Sequence, residues 1–520
     1  MSISLLPWGQ KRHSQLQSTR SGELSMKSIE IILDTDLKYA RFERTRMATE
    51  RTWMNSRRRA RTVIAALIIC FYFIFSHQRL ITRPSIPIQR QSMIHCPQNP
   101  MAKEVLVVLR TGATEIVEKL PIHLNTTLRC IPNYLIYSDL EEDIEGHHVY
   151  DVFDEISQDL KDSVPDFDLY HQLKRKGRDG LSLDGIAHDG SGTAGSLGNP
   201  GWKLDKFKFL PMMDKSLRQM PQAKWFVFVE LDTYLMWSNL LEYLSKFDAE
   251  IPHYLSKQMF IGEILFAHGG SGFALSAPAI RKVVQYWRAH EKELNQYTIA
   301  QWAGDMVLGR ALKDAQVPLM WAFPHFQGDP VSTLDHNTTN VNRQPWCYPA
   351  ITYHHMPEDE IRSLWEFEQE WHRMRPKDAP LRHADVFKAY IHSKLGKENL
   401  EWDNYSVDPE FSKNVLRSEE AHSSVEACRS SCESHARCLQ FSYSTSKCLV
   451  SSAIRLGRRS TSQCSIYSTA ASRCERLEES VVDTKRGSLD AVQSGWMVDR
   501  LADYVSPMDQ SCNVDMGWIT

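Results

Sequence analysis

The sequence predicts an α/β protein built on a largely parallel sheet, and three observations support this fold class. Two short apolar runs, EVLVVLR (104–110) and YLIYSD (134–139), have strand composition and end in polar or turn residues. The segment between them, ATEIVEKLPIHLNTTLRC, has helical spacing interrupted at Pro121. A third apolar run, KWFVFVELDTY (224–234), follows a predicted helix over GWKLDKFKFLPMMDKSLRQM. Strands alternating with helices in this way are typical of a parallel α/β sheet.

One uncharged apolar segment stands apart from this pattern. TVIAALIICFYFIFS (62–76) follows the basic stretch RRRAR and has no amphipathic face. It is shorter than the ~20 residues that span a typical bilayer, so a buried helix is the alternative. We favour a signal anchor at 62–77, with residues 1–61 as a disordered cytosolic tail. Residues 78–100 would be a stem, and the remainder would lie in the lumen of the Golgi or the endoplasmic reticulum. The net charge of −3 makes nucleic acid an unsuitable partner.

Cysteine usage agrees with an oxidising compartment. Outside the apolar segment there are ten cysteines, all on the proposed luminal side, and seven of them lie at or beyond Cys428. We therefore expect a small disulfide-rich module over residues 415–520; zinc is the poorer alternative because no paired C-x2-C is present. Asn125, Asn337 and Asn404 begin N-glycosylation sequons.

Two carboxylates follow the third predicted strand. Glu230 and Asp232 are two residues apart, so on an extended backbone their side chains point the same way. Ligands of open α/β sheets bind beyond the carboxyl ends of the strands, and hard oxygen ligands suit Mg²⁺ or Mn²⁺ carrying a diphosphate. The alternative is that Asp232 caps the helix predicted over TYLMWSNLLEYLSKF.

Three later segments favour the metal-site interpretation. FAHGGSGFALS places Gly269, Gly270 and Gly272 between a strand and a helix, where backbone can approach a ligand closely. WAGDMVLGRALKD places Asp305 at the start of a helix, as an N-cap or a base. CYPAITYHHM ends a strand-like run on two histidines, which could supply a further metal ligand.

In this order the four segments resemble glycosyltransferase family 31, in its Fringe-like and core 1 β1,3-galactosyltransferase branch and its fungal form. The resemblance covers roughly residues 101–395 and implies a GT-A (Rossmann-like) domain over 101–400. ELDTY resembles the family's Asp-rich triplet, which implies that Glu230 and Asp232 hold the manganese of a UDP-sugar. Two departures are Leu231 at the centre of the triplet and Glu230 in place of Asp, so Asp232 is the safer ligand.

The other motifs carry further implied roles. The resemblance makes Asp305 the catalytic base, His354 a metal ligand and His355 its bystander. The glycine-rich segment would line the donor and acceptor site. The predicted helix that begins GWKLDK matches a Trp-x-Lys helix of the family, which implies three residues near the donor: Trp202, Lys203 and Lys206.

The C-terminal module resembles the PAN/apple class, which binds protein or carbohydrate. That likeness implies the pairs Cys432–Cys438 and Cys428–Cys448.

The implied activity is inverting transfer of a hexose, with galactose favoured, from a UDP-sugar to a glycan or glycoprotein hydroxyl in a β1,3 linkage. The implied enzyme is similar to an N-acetylgalactosaminide β-1,3-galactosyltransferase. Another donor such as UDP-N-acetylglucosamine stays open. The alternative function is an inactive glycosyltransferase-like scaffold that binds ligands in the lumen through its PAN-like module.

Overall fold

The structure, a computed structural model, describes residues 94–181, 199–374, 379–444, 447–460, 492–512 and 517–520, which fall within one compact unit, 94–520. The predicted tail, anchor and most of the stem lie outside the described residues. Among those described, no helix is long and apolar enough to cross a bilayer.

The strands of the described residues are grouped into one large sheet and several small ones. In chain order they are β1 Val105–Arg110, β2 Tyr134–Ser138, β3 Glu142–Ile144, β4 His147–Asp151, β5 Trp225–Glu230, β6 Tyr234–Leu235, β7 Tyr254–Ser256, β8 Gln258–Ile261, β9 Ile264–Ala267, β10 Phe273–Ser276, β11 Leu319–Trp321, β12 Thr352–Tyr353, β13 Glu398–Leu400, β14 Trp402–Asp403, β15 Gln440–Ser444, β16 Lys447–Ser451, β17 Arg458–Arg459 and β18 Gln493–Trp496.

The α-helices pack on both faces of the large sheet and in the C-terminal region. They are α1 Ile116–Asn125, α2 Gln158–Ser163, α3 Asp168–Lys176, α4 Pro200–Asp205, α5 Phe209–Gln219, α6 Trp237–Leu244, α7 Ala277–Ala289, α8 Glu291–Ala300, α9 Gly304–Asp314, α10 Glu358–Met374, α11 His383–Val386, α12 Pro409–Val415, α13 Val425–Glu433 and α14 Leu501–Ser511.

The large sheet has the strand order β11-β7-β10-β5-β1-β2-β4-β3. The pairs β1–β2, β1–β5, β2–β4 and β7–β11 are parallel, whereas β10 runs antiparallel to both of its neighbours. The α/β prediction is therefore confirmed as a mixed, parallel-rich sheet. Pro121 lies inside α1 and does not end it.

Both faces of the central strands are covered, which explains why their sequences are continuously apolar. Successive side chains of β1 and β5 alternate between two hydrophobic clusters. Leu106, Val108, Phe226 and Phe228 belong to one cluster, and Val105, Val107, Leu109, Trp225, Val227 and Val229 belong to the other. The rigid centre of the sheet thus fixes the carboxyl ends of β1 and β5 side by side.

The C-terminal region is stapled by disulfides and shares its core with the preceding domain. The predicted pairs Cys428–Cys448 and Cys432–Cys438 are confirmed. Cys96 pairs with Cys130, and Cys347 pairs with Cys512 at the end of α14. Ile454, Leu456 and Trp496 belong to the same buried cluster as Tyr353 and Met356, which flank the two histidines. Cys464 and Cys474 lie outside the described residues.

One predicted glycosylation site is wrong. Asn404 is fully buried, and its side-chain amide donates to the carbonyls of Phe441 and Gly495. Asn125 and Asn337 are exposed. Among the described residues, the sequons at Asn125 and Asn337 are therefore the accessible ones.

Candidate active site

The candidate site begins where β1 and β5 end together. Their parallel register places Arg110 opposite Glu230. The buried guanidinium of Arg110 contacts the carboxylates of Glu230 and Asp205, and it lies over the ring of Phe209, 4.2 Å from the centroid. Burial alone would raise the pKa of Glu230, but Arg110 and His354 together outweigh it and lower the pKa to about 2. Glu230 is therefore ionised at any physiological pH.

The second carboxylate meets a histidine from a distant segment. The short strands β6 and β12 pair antiparallel, with Tyr234 opposite Tyr353, and this pairing brings the residues beside them together. Nε2 of His354 lies 3.2 Å from Oδ1 of Asp232 and 3.5 Å from Oε2 of Glu230. Burial acts to lower the pKa of His354, but these two carboxylates outweigh it and raise the pKa to about 10. The two carboxylates therefore favour positive charge at the position of this imidazole.

The neighbouring histidine also faces this carboxylate. Nδ1 of His355 is 3.8 Å from Oδ2 of Asp232. Asp232, His354 and His355 can each offer one ligand atom, all within 4.8 Å of one another. Nζ of Lys119 also lies 3.5 Å from Oδ2 of Asp232. Burial alone would raise the pKa of Asp232, but His354 and Lys119 help to hold it well below the usual value.

The donor atoms at this point fit a divalent cation. Within the described part of the chain, Oδ1 of Asp232 and both imidazole nitrogens of His354 are buried without a hydrogen bond of good geometry. Buried polar atoms of this kind are costly unless a partner satisfies them. A carboxylate and an imidazole together form a mixed oxygen and nitrogen donor set, which first-row divalent ions accept.

The centre of the triplet has a structural role. Leu231 is buried in the hydrophobic cluster on one face of the sheet, and its carbonyl meets Nε2 of His123 at 2.7 Å. Its side chain therefore lies in the core, whereas those of Glu230 and Asp232 meet at the site. A leucine at this position leaves the carboxylates on either side in place.

The capping interpretation of Asp232 is wrong. The short strand β6 follows Asp232, and helix α6 begins only at Trp237, with Met236 as its N-cap residue. Asp232 therefore lies too far before α6 to cap that helix.

The glycine-rich segment packs directly on the histidine. A Cβ atom built on Gly270 would lie 2.1 Å from Cε1 of His354, so any side chain there would have to displace that ring. The Gly270 carbonyl accepts a hydrogen bond from Oγ1 of Thr233 at 2.7 Å. Gly272 adopts φ 74°, a left-handed conformation that favours glycine. The turn therefore forms one wall of the site.

Asp305 is joined to the same turn. Its Oδ2 accepts a hydrogen bond from the backbone N–H of Gly269 at 2.9 Å, and its Oδ1 accepts one from Met306 N–H at 2.8 Å. Asp305 lies in the first turn of α9 but is not its N-cap residue, which is Ala303. Burial raises the pKa of Asp305 to about 6, although these hydrogen bonds and Arg110 oppose the rise. This carboxylate is therefore tuned close to neutral pH, as a general base requires.

The two lysines predicted to lie near the donor differ in their surroundings. Lys203 is exposed. The amine of Lys206 donates to the carbonyls of Ile299 and Gln301 and pairs with Asp166 at 2.9 Å, so it holds α4 to neighbouring segments. A donor-binding role for Lys203 and Lys206 stays a prediction.

Trp202 belongs to an aromatic pair. It stacks on Trp302 with ring centroids 6.4 Å apart, and Trp302 is 49% exposed. By contrast, Trp225 and Tyr234 are fully buried, so they are core residues. Of these four aromatic residues, Trp202 and Trp302 are the two that a ligand can reach.

Two basic residues of the site, Arg110 and Lys119, were not predicted from the sequence, and the bystander role of His355 stays a prediction. Arg110 was visible as the last residue of EVLVVLR, in the same position on β1 as Glu230 on β5. Lys119 lies on α1 and carries no signal of its own in the sequence. His355 was interpreted as a bystander, yet its ring centroid is 3.8 Å from that of His354 and it faces the same carboxylate.

A family match covers the segment that contains this site. Residues 205–360 match the family model described as Fringe-like, and this segment includes Glu230, Asp232, Asp305, His354 and His355. The match supports a glycosyltransferase. It ends at residue 360, so the PAN/apple likeness of the C-terminal module and the fungal form remain predictions.

Two further comparisons add little. A solved structure described as a glycosyltransferase involved in the glycosylation of the major capsid of PBCV-1 is 8% identical, with a TM-score of 0.23 over 50% of this chain and 98% of its own. A similarity this low carries no argument. The search of curated proteins gave no match.

Proposed function

We propose that the protein is a metal-dependent, inverting glycosyltransferase that moves a hexose, with galactose favoured, from a UDP-sugar to a hydroxyl of a glycan or glycoprotein. The supporting observation is the convergence of Asp232 and His354 at the carboxyl end of the sheet, across a glycine turn from Asp305. All three residues fall inside the Fringe-like segment. We place the activity in the lumen of the Golgi or endoplasmic reticulum, behind the predicted signal anchor.

In this mechanism Asp305 is the general base. The acceptor oxygen attacks the anomeric carbon, the bond from that carbon to the diphosphate oxygen breaks, and UDP leaves with the electron pair. The proton of the acceptor hydroxyl passes to Asp305. A positioned base of this kind contributes roughly 10²–10⁴-fold. Inversion needs no covalent sugar–enzyme intermediate, and a single base is sufficient.

Asp232 and His354 would hold Mn²⁺ or Mg²⁺, with Glu230 and His355 at its edge. When bound, the ion would neutralise negative charge on the diphosphate. Arg110 keeps Glu230 ionised and in place, because its guanidinium joins that carboxylate to Asp205.

The test is a donor screen with full-length protein, Mn²⁺ and a series of UDP-hexoses, measuring released UDP and the linkage formed on a glycan acceptor. We expect UDP-galactose to be the best donor, and loss of UDP release when EDTA is added. UDP-N-acetylglucosamine as the preferred donor would change the assigned sugar but keep the reaction class. Failure of every UDP-sugar would contradict the proposal and favour the inactive scaffold.

A further inference from the structure

The two histidines lie in a turn whose backbone is held at three points. His354 N–H donates to the carbonyl of Asp329 at 3.4 Å, and Met356 N–H donates to the carbonyl of Asp232 at 2.9 Å. Between them His355 has φ 56°, a left-handed conformation that costs energy for a residue with a side chain. Surrounding contacts must therefore stabilise this turn.

The third contact comes from the C-terminal module. Nη2 of Arg458 donates to the carbonyl of His355 at 2.6 Å and to Oε2 of Glu360 at 3.1 Å. Its Nε donates to Oγ of Ser332 at 3.3 Å. One guanidinium thus joins the histidine turn, the first turn of α10 and the loop between β11 and β12.

The chain around Arg458 is built to place it there. Asp403 pairs with Arg458 across β14 and β17, and Leu456 is buried. Gly457 has φ 77°, and its N–H donates to the carbonyl of Ser332 at 2.9 Å. A Cβ on Gly457 would lie 2.0 Å from the Asp403 carbonyl oxygen, so the backbones meet too closely for any larger residue. The approach of Arg458 to the site is therefore specified by tight backbone packing.

We propose that Arg458 is a positioning residue for the candidate metal site. By fixing the carbonyl of His355, it holds one side of the His355–Met356 peptide, whose N–H donates to the carbonyl of Asp232, and so it restrains the approach of the two imidazoles to Asp232. This inference rests on the proposed function, because it presumes that the site holds a divalent ion. Loss of a group that orients a ligand typically lowers metal affinity by about 10–100-fold.

The experiment is a calorimetric titration of full-length protein with Mn²⁺, without donor, at one fixed pH. Arg458→Met removes the donor to His355 and the ion pair with Glu360. Glu360→Gln removes the same ion pair but leaves the bond to His355. Arg459→Gln changes the adjacent exposed arginine. We expect Arg458→Met to weaken Mn²⁺ binding by about 10–100-fold, and both other variants to bind within about twofold of the wild type.

Folding is checked separately from metal binding. Arg458→Met leaves Glu360 buried without its charge partner, so the double variant Arg458→Met/Glu360→Gln is included, with thermal unfolding of all variants in EDTA. The double variant should unfold close to the wild type and still bind Mn²⁺ weakly. Wild-type affinity in this folded double variant would overturn the positioning role alone. No Mn²⁺ binding by the wild type would instead overturn the proposed metal-dependent function.

Discussion

The backbone of Gly270 lies directly against the imidazole ring of His354. A Cβ on Gly270 would stand 2.1 Å from Cε1 and 2.4 Å from Nε2 of that ring, so a side chain there must displace it. The glycine-rich turn therefore determines where a predicted metal ligand can lie.

Gly270→Ala should weaken Mn²⁺ binding by about 10–100-fold, because the methyl group pushes His354 away from Asp232. Calorimetric titration of the full-length protein measures the loss. Gly517→Ala is the control, since a Cβ on Gly517 has nothing within 4 Å. Equal affinity in the two variants would show that His354 does not need its present position.

Asp232→Asn should abolish Mn²⁺ binding, a loss greater than the roughly 100-fold that changes to supporting residues cause. The reason is that the amide removes the negative charge facing His354, His355 and Lys119. UDP affinity in the presence of Mn²⁺ should fall with it. Asp143→Asn, on the edge strand β3, is the control because its side chain is 75% exposed. Unchanged UDP and Mn²⁺ affinity in Asp232→Asn would remove this carboxylate from the metal site.

The two histidines should contribute unequally to Mn²⁺ affinity. His354→Asn should lose more Mn²⁺ affinity than His355→Asn, because Nε2 of His354 is closer to Asp232, at 3.2 Å against 3.8 Å for Nδ1 of His355. His355→Asn should still bind more weakly than the wild type, and asparagine tolerates the left-handed backbone at this position. Binding by His355→Asn equal to that of the wild type would restore the bystander interpretation.

Transfer activity should fall below pH 6. Burial raises the folded-state pKa of Asp305 to about 6, so this group gains its proton as the pH falls through that value and can no longer act as a base. The apparent kcat/KM at saturating Mn²⁺ should then drop about tenfold per pH unit. The same shift means that Asp305 contributes stability at pH below its unfolded pKa, and that this contribution is lost as the pH rises through 6.

The matching variant separates catalysis from binding. Asp305→Asn should keep Mn²⁺ and UDP affinity while turnover drops by roughly 10²–10⁴-fold. Its residual activity should lack the fall below pH 6. Near-normal turnover, or an unchanged pH profile, would assign the base to another group.

Much of the fold and part of the candidate site could be predicted from the sequence. Buried parallel strands are continuously apolar, so a charged residue at the end of one is conspicuous, and Glu230 and Asp232 were found in this way. Arg110 ends a strand in the same manner, but a single basic residue after an apolar run suggests no ligand. The pairing of β6 with β12, which brings Asp232 to His354, depends on long-range contacts that local spacing does not encode. The engagement of Lys206 with Asp166 and two carbonyls is invisible for the same reason.

The hydrophobic cluster that Ile454, Leu456 and Trp496 share with Tyr353 and Met356 has a practical consequence. Deleting the last hundred residues would expose the apolar flanks of the histidine turn to water and cut the tether at Cys347. The C-terminal region is therefore unlike an independent domain that can be transferred to another protein. Any shortened version made for expression should keep the chain intact through Cys512.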